Sequence, residues 1–147
     1  MVAAHLPTID HTVQLTREWV RELGDRADWS EERAYRLLRV ALQTLRDWLD
    51  VDEAAQFGAQ LPLLLRGLYY EGWRPAKTPV ADNSRDAFLS RIDAAFATDP
   101  IDDTRDAVGQ VFRMLNHRIS AGEVRDVRER LPAPLRDLWP EKRETEC

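Results

Sequence analysis

Apolar residues recur along this chain at intervals of three and four, the spacing of one face of an α-helix. Ser30 precedes the clearest run, and Glu31 and Glu32 follow it, a combination typical of a helix start. No stretch alternates with the period of two that a half-buried strand shows. The pattern therefore predicts an all-α protein. The clearest run consists of Ala34, Leu37, Leu38, Ala41, Leu42, Leu45 and Leu49.

Proline, glycine and capping residues divide the chain into eight predicted helices. The first carries apolar residues at Ile9, Val13, Val20 and Leu23 and is predicted to stop at Gly24. A proline cannot continue a helix interior but fits its first turn, so each Leu-Pro pair marks a restart. The later boundaries are predicted at Asp50, Leu61–Pro62, Gly72, Ser84, Asp99–Pro100, Ser120, Leu131–Pro132 and Pro140.

These boundaries occur twice along the chain, at a constant offset. Leu61–Pro62 is matched by Leu131–Pro132, since 131 − 61 = 70, and Glu53 is matched by Glu123 at the same difference. A single repeat unit cannot bury its apolar face alone, so the two copies should pack together. We therefore predict a compact orthogonal helical bundle of two pseudo-symmetric copies, each with two longer and two short helices. The copies span approximately 8–73 and 84–140, with a linker at 74–83 and a frayed tail at 141–147.

Length and composition fit one domain over residues 1–147. A chain this long buries roughly 70% of its unfolded surface as a single unit. The net charge of -5 and the interspersed acids and bases predict a soluble surface and no nucleic-acid partner. The longest apolar stretch, Leu61 to Leu65, is too short to span a membrane, and the N-terminus lacks the features of a secretion signal. The sole cysteine, Cys147, cannot form an internal disulfide, so the predicted location is cytoplasmic.

Residues that could carry chemistry are few. The three histidines, His5, His11 and His117, do not form a pair at the one-turn spacing of a helical zinc site. The acidic residues at 50–53 and 102–103 fall at predicted helix starts, where capping accounts for them. We predict no metal site from these groups.

Nucleophilic catalysis also lacks support. Ser120 lies three residues after His117, but it is needed as a cap, and a cation near a helix end is favourable in its own right. Cys147 has no activating neighbour, and no glycine-rich phosphate loop occurs. We therefore predict no catalytic residue and no cofactor.

Two segments carry a family resemblance. The run from Leu61 to Trp73 and the run from Ser120 to Arg136 resemble DUF2267, a prokaryotic domain family of unknown function. The resemblance extends from about Thr8 to Trp139. It implies a small all-α protein of bacterial origin, and it supplies no activity, cofactor or catalytic residue.

Aromatic residues are distributed unevenly between the two copies. At the repeat offset Tyr35 falls on Arg105 and Trp48 on Arg118. A position that accepts arginine is expected near the rim of a core, so the first copy is expected to expose aromatic rings there. These rings either seal the bundle or form an interface, because Trp, Tyr and Arg are common interface anchors. The interface interpretation defines an aromatic patch of Tyr35, Trp48, Arg66, Tyr69, Tyr70 and Trp73.

Two functions remain open from the sequence. The first is a non-enzymatic protein-interaction or self-association module that uses the aromatic patch. The alternative is a small-molecule binder or hydrolase with a cleft between the two copies. Candidate residues for that cleft are Arg66, Arg136, Glu53 and Glu123.

Overall fold

Helices build the part of the chain that the structure, a computed structural model, describes: residues 6–141. The prediction of an all-α fold is confirmed, and the predictions for His5, Cys147 and the tail after Glu141 lie outside the described residues. A short 3-10 turn, Pro75–Lys77, occupies the predicted linker. The α-helices are α1 (Pro7–Ala27), α2 (Glu31–Trp48), α3 (Val51–Gly58), α4 (Leu63–Tyr70), α5 (Arg85–Ala95), α6 (Thr104–Arg118), α7 (Ala121–Arg130) and α8 (Ala133–Arg136).

Capping side chains start most of these helices. Ser30, Asp50, Ser84 and Ser120 each accept a hydrogen bond from the backbone N–H three residues later, as the sequence predicts. Asp103 does the same for α6. These bonds satisfy N–H groups that have no partner within the helix, which explains where the chain turns helical.

The end of α1 differs from the prediction. The helix continues past Gly24 to Ala27 and closes at Asp28, which adopts the left-handed conformation with φ 59°. Gly24 is buried, and a Cβ atom there would lie 3.0 Å from the carbonyl oxygen of Trp29. The glycine therefore permits close approach of the following chain instead of ending the helix.

Buried apolar side chains from all eight helices form one cluster. Helix α1 packs against α2 and α6, and α5 also packs against α2 and α6. Helices α2 and α6 contact each other, and α3 packs against α7. Within the cluster the ring of Trp139 is fully buried and stacks on Phe112, with 4.4 Å between centroids and 4° between planes.

Several helix boundaries recur at the offset seen in the sequence. Helices α2 and α6 end at Trp48 and Arg118, and 118 − 48 = 70. Helices α3 and α7 begin at 51 and 121, and α4 and α8 begin at 63 and 133, again with the same difference. The matched helices therefore start or stop at corresponding positions in the sequence.

The chain that follows α4 and α8 is held by side chains at matching positions. Arg46 donates from Nη1 to the carbonyl oxygens of Tyr69 (2.8 Å) and Glu71 (2.9 Å). Asn116, which matches Arg46 at the repeat offset, donates from Nδ2 to the carbonyl oxygen of Pro140 at 2.8 Å. Its Oδ1 accepts from Nε1 of Trp139 at 2.7 Å. A buried arginine and a buried asparagine thus secure the same kind of helix end.

Candidate functional site

Trp48 is buried rather than exposed, with only 4% of its surface accessible. Its ring meets Phe88 edge-on at 5.3 Å, and the guanidinium of Arg91 lies 5.1 Å from the ring centroid. The expectation that Trp48 lies at the rim of the core is therefore wrong. Arg118, which lies 70 residues after Trp48 in the sequence, has different surroundings, because it donates to the carboxylate of Glu22.

Three further aromatic residues of the patch form a row along the end of α4. Tyr69 and Tyr70 lie 5.0 Å apart, and Tyr70 and Trp73 lie 5.2 Å apart, between ring centroids. Tyr69 is fully buried, its hydroxyl donates to the carbonyl oxygen of Ala54 at 2.8 Å, and burial raises the pKa of this phenol far above its usual value. Tyr70 and Trp73 are half-buried. The row joins α4 to α3 and leaves only its outer edge exposed.

The two remaining members of the aromatic patch lie in different settings. Arg66 donates to the backbone carbonyls at the end of α3, including those of Gly58 (3.1 Å) and Leu61 (3.1 Å). Tyr35 is 38% exposed on α2 and shares no ring contact or hydrogen bond with the other five within residues 6–141. The structure therefore does not join the six residues into one exposed surface.

The residues proposed for a cleft serve helix ends. Arg136 donates to the carbonyl oxygens of Arg128 (3.0 Å) and Glu129 (2.9 Å). Burial, reinforced by neighbouring carboxylates, raises the pKa of Glu53 despite the opposing charge of Arg130. The backbone N–H of Glu123 donates to the side chain of Ser120. These contacts account for the arginines and for the position of Glu123 without a ligand.

A different apolar surface is exposed where α1 meets the start of α4, and we call it the α1/α4 strip. Ile9 and Val13 share the spacing of one helical face with the buried Val20 and Leu23, yet 54% and 36% of their surfaces are accessible. The side-chain oxygen of Thr12 accepts a hydrogen bond from the backbone N–H of Leu64 at 2.9 Å, which fixes the two helices together. The strip consists of Leu6, Ile9, Val13, Leu63 and Leu64, all exposed.

The repeat offset provides a sequence signal for this strip that helical spacing alone does not provide. At the repeat offset Leu63 and Leu64 fall on Ala133 and Pro134, and residues 7–14 fall on 77–84, outside any α-helix. The strip therefore has no counterpart in the second half of the chain.

An open polar groove of about 530 Å³ lies between α1 and the end of α6, and we call it the α1–α6 groove. Glu22 is central to it, with 14% of its side chain exposed. Its Oε1 atom accepts from Nδ1 of His117 and from Nε of Arg118, both at 2.8 Å, and Oε2 accepts from Nε of Arg26 at 2.8 Å. The lining residues are Glu18, Arg21, Glu22, Asp25, Arg26, His117 and Arg118.

The electrostatics of Glu22 favour its ionised form. Burial by itself would raise the pKa of this carboxyl. The hydrogen bonds from His117 and Arg26, together with the charge of Arg118, outweigh that effect and lower the pKa below its ordinary value. An ionised carboxylate only accepts hydrogen bonds, so Nδ1 of His117 must donate to it.

Sequence reasoning missed this groove because its walls are far apart in the chain. Glu22 is separated from His117 by 95 residues. The sequence offered one signal, the match of Trp48 with Arg118 at the repeat offset. The interpretation placed a functional surface at Trp48, whereas Arg118 is the member that lines the groove.

The described residues lack two other kinds of feature. Among residues 6–141, no group of three or more histidine, cysteine or acidic side chains is arranged to hold a metal ion. The same residues contain no helix that is long and apolar enough to cross a membrane.

The fold and its contacts define an all-α helical protein. The model of the family described as "Uncharacterized conserved protein (DUF2267)" matches residues 16–138, most of the chain. The chain therefore belongs to the DUF2267 family, as the resemblance indicated. No curated protein matches it.

Proposed function

We propose that this protein is a non-enzymatic interaction module that self-associates through the α1/α4 strip. The observation that carries this proposal is the group of exposed apolar side chains at the junction of two helices. Single exposed apolar residues are ordinary on protein surfaces, whereas adjacent ones mark interaction sites. The interaction module predicted from the sequence is thus retained, with its surface moved from the aromatic patch to the strip.

The strip has the properties of a surface that is formed before a partner binds. The hydrogen bond between Thr12 and Leu64 sets the spacing of the two helices. Leu6, just before α1, and Ile9 and Val13 within it follow the spacing with which a helix presents a seam to another helix. A preformed surface of this kind loses little conformational entropy when it is covered.

A second copy of the chain is the partner that we propose. A stable interface buries about 800 Å² on each side, so the contact must extend from the strip along α1. The adjoining surface of α1 carries both signs of charge, including Arg17, Glu18 and Arg21. Such a mixed surface accommodates a copy of itself, whereas a surface of one sign would favour an oppositely charged partner. A closed two-fold dimer is the commonest outcome of such a contact.

The test compares identical substitutions at two equally exposed valines. Val13→Glu places a charge in the strip, whereas Val51→Glu places one at the first position of α3, outside the strip, where an acid suits the helix. Sedimentation equilibrium over a range of concentrations should show dimers for the unchanged protein and for Val51→Glu, and monomers for Val13→Glu. A monomeric unchanged protein at every concentration would overturn the proposal, as would equal dimerisation of both variants.

We also propose that the chain is one domain built by duplication of a four-helix unit. Support comes from the helix boundaries that recur at a constant offset, and from Arg46 and Asn116, which occupy matching positions and secure matching helix ends. The paired packing of α1 and α5 on the same two helices agrees with this arrangement. The cytoplasmic location predicted from the sequence stays a prediction.

A further inference from the structure

The α1–α6 groove holds more hydrogen-bond donors than its protein contacts use. Arg26 and Arg118 each bind the carboxylate of Glu22 through Nε. A guanidinium carries five N–H groups in a planar fork, so each arginine keeps four on its outer nitrogens. Within residues 6–141 these outer nitrogens have no hydrogen-bond partner, although both side chains line the groove.

The acids of the groove are more fully occupied than its bases. Glu22 accepts three hydrogen bonds, and Glu18 accepts one from Gln14 at 3.2 Å. Asp25 is the lining acid for which the described residues supply no hydrogen bond or ion pair. The formal charges of the three acids and three arginines balance, but the uncommitted groups are mainly donors.

We propose that the α1–α6 groove binds a small molecule through an oxyanion, a phosphate or a carboxylate group, held by the outer nitrogens of Arg26 and Arg118. Planar guanidinium groups match the geometry of both anions and bind them through paired hydrogen bonds. Glu18 and Arg21 border both this groove and the proposed dimer surface, but the two arginines that would hold the anion, Arg26 and Arg118, lie outside that surface. The site uses none of the four residues that the sequence suggested for a cleft.

Glu22 is a positioning residue in this site. Its two oxygens fix the Nε atoms of Arg26 and Arg118, which restrains both forks before any ligand arrives. Restraining two long side chains in advance reduces the entropy lost on binding. The ligand therefore meets two arginines that are already oriented by one carboxylate.

The experiment titrates ¹⁵N-labelled full-length protein with sodium phosphate and, separately, with sodium acetate, at constant ionic strength set by sodium chloride. The proposal expects saturable chemical-shift changes at the Nε–H groups of Arg26 and Arg118 and at neighbouring amides. Saturation with only one of the two salts would support the proposal and identify the class of anion. Shifts that rise without saturating for both salts, or that appear equally over the whole surface, would overturn it.

Variants then separate specific binding from screening of charge. Arg118→Gln should weaken anion binding by about tenfold, because it removes one of the two forks. Arg39→Gln makes the same change at an exposed arginine on α2 that is paired with Glu71, and it should leave the affinity unchanged. Equal weakening by both variants would show only general electrostatic attraction and would overturn the site.

A third variant keeps the test valid if Arg118→Gln disturbs the fold. Asp25→Asn removes the unpaired lining acid without touching the Glu22 cluster, so it should tighten binding by roughly two- to fivefold. Amide spectra of each variant establish that its fold is retained. Unchanged or weaker binding in a folded Asp25→Asn protein would contradict the proposed location of the anion.

Discussion

The contact between α1 and α6 and the contact between α2 and α5 involve residues related by the offset of 70, yet the side chains at those positions differ in chemistry. Between α2 and α5 the rings of Trp48 and Phe88 meet in the core, whereas Arg118, which lies 70 residues after Trp48, donates to Glu22 on α1. Glu18, which matches Phe88, lines an open groove. The α2–α5 contact thus contains a buried aromatic pair beside the ion pair of Arg91 with Asp47, whereas the ion cluster of Glu22 borders an open groove at the α1–α6 contact.

This difference shows that a helix crossing does not determine the side chains that stabilise it. Aromatic packing excludes water and stabilises in proportion to the buried area. A partly exposed ion cluster stabilises less, because water screens it and its charges must be desolvated. The second solution leaves polar groups at the surface, where they are available to a ligand.

The largest effect is expected for Trp48→Arg, which copies the residue of the second half into the first. Trp48 is buried, and no acid corresponding to Glu22 is present, because the matching residue of α5 is Ile92. Loss of the ring and burial of a poorly paired charge should cost about 4 kcal/mol or more. Urea denaturation monitored by circular dichroism measures this cost. A loss below about 1 kcal/mol would contradict the importance of the α2–α5 aromatic contact.

The second largest effect is expected at the contact between α3 and α4, where the aromatic row of α4 covers the end of α3. Gly58 lies beneath Tyr70, and a Cβ atom there would lie 2.8 Å from Cζ of Tyr70 and 3.0 Å from Cε2 of Tyr69. Gly58→Ala should therefore destabilise the protein by roughly 1–3 kcal/mol through steric overlap.

Gly67 provides the matched control for this substitution. It lies in the middle of α4, and a Cβ atom would meet nothing within 4 Å. Gly67→Ala should stabilise the protein by about 0.5–1 kcal/mol through helix propensity. Thermal unfolding of both variants provides the comparison, and effects of the same sign would count against the steric explanation.

A smaller loss, about 1 kcal/mol, is expected for Glu22→Gln, because the neutral amide cannot stabilise three charge-assisted contacts. Glu31→Gln is the control, since Glu31 forms an exposed pair with Arg21 and should matter little. Chemical denaturation at neutral pH distinguishes the two. Equal stabilities of both variants would show that the cluster adds nothing to folding.

The smallest effect concerns pH, and its sign differs between two glutamates. The folded-state pKa of Glu22 is lowered, so its stabilising contribution is present above the ordinary value of 4.5 and is lost as the pH falls through the folded value. The pKa of Glu53 is raised, mainly by burial, so its ionisation opposes folding and that penalty disappears on acidification.

Two variants test this difference in sign. Glu53→Gln should raise stability near pH 7 by on the order of 0.5 kcal/mol, and the gain should vanish below about pH 4. The loss caused by Glu22→Gln should also shrink in acid. Denaturation curves at several pH values measure both trends, and a gain from Glu53→Gln that persists in acid would exclude ionisation as its cause.

The sequence predicted the helices well because their signals are local. Ser30, Asp50 and Ser120 each accept a hydrogen bond from a backbone N–H only three residues away, so these caps could be predicted from the sequence alone. The stop at Gly24 was misplaced because the glycine serves a contact with Trp29 that spacing alone does not reveal.

The functional surfaces were less predictable because they depend on packing between distant segments. Ile9 and Val13 share their helical spacing with the buried Val20 and Leu23, but spacing alone does not show that no other helix within residues 6–141 covers the start of α1. Two of the three partners of Glu22, His117 and Arg118, come from the far end of α6. The sequence offset of 70 matched Trp48 with Arg118 and showed that they differ, yet only the contacts of each showed which one is buried.

Because Glu22 lies far along the chain from His117 and Arg118, the groove forms only when these distant segments have come together. Its two walls meet only after a loop of 95 residues has closed, so contacts within one half of the chain cannot build it. A chain in which α1 has detached would keep the aromatic contact between α2 and α5. Its Arg26 and Arg118 would no longer lie side by side, since Arg26 belongs to α1 and Arg118 to α6. Any molecule bound there would hold the fully assembled chain in preference to such a form, and would stabilise it by mass action.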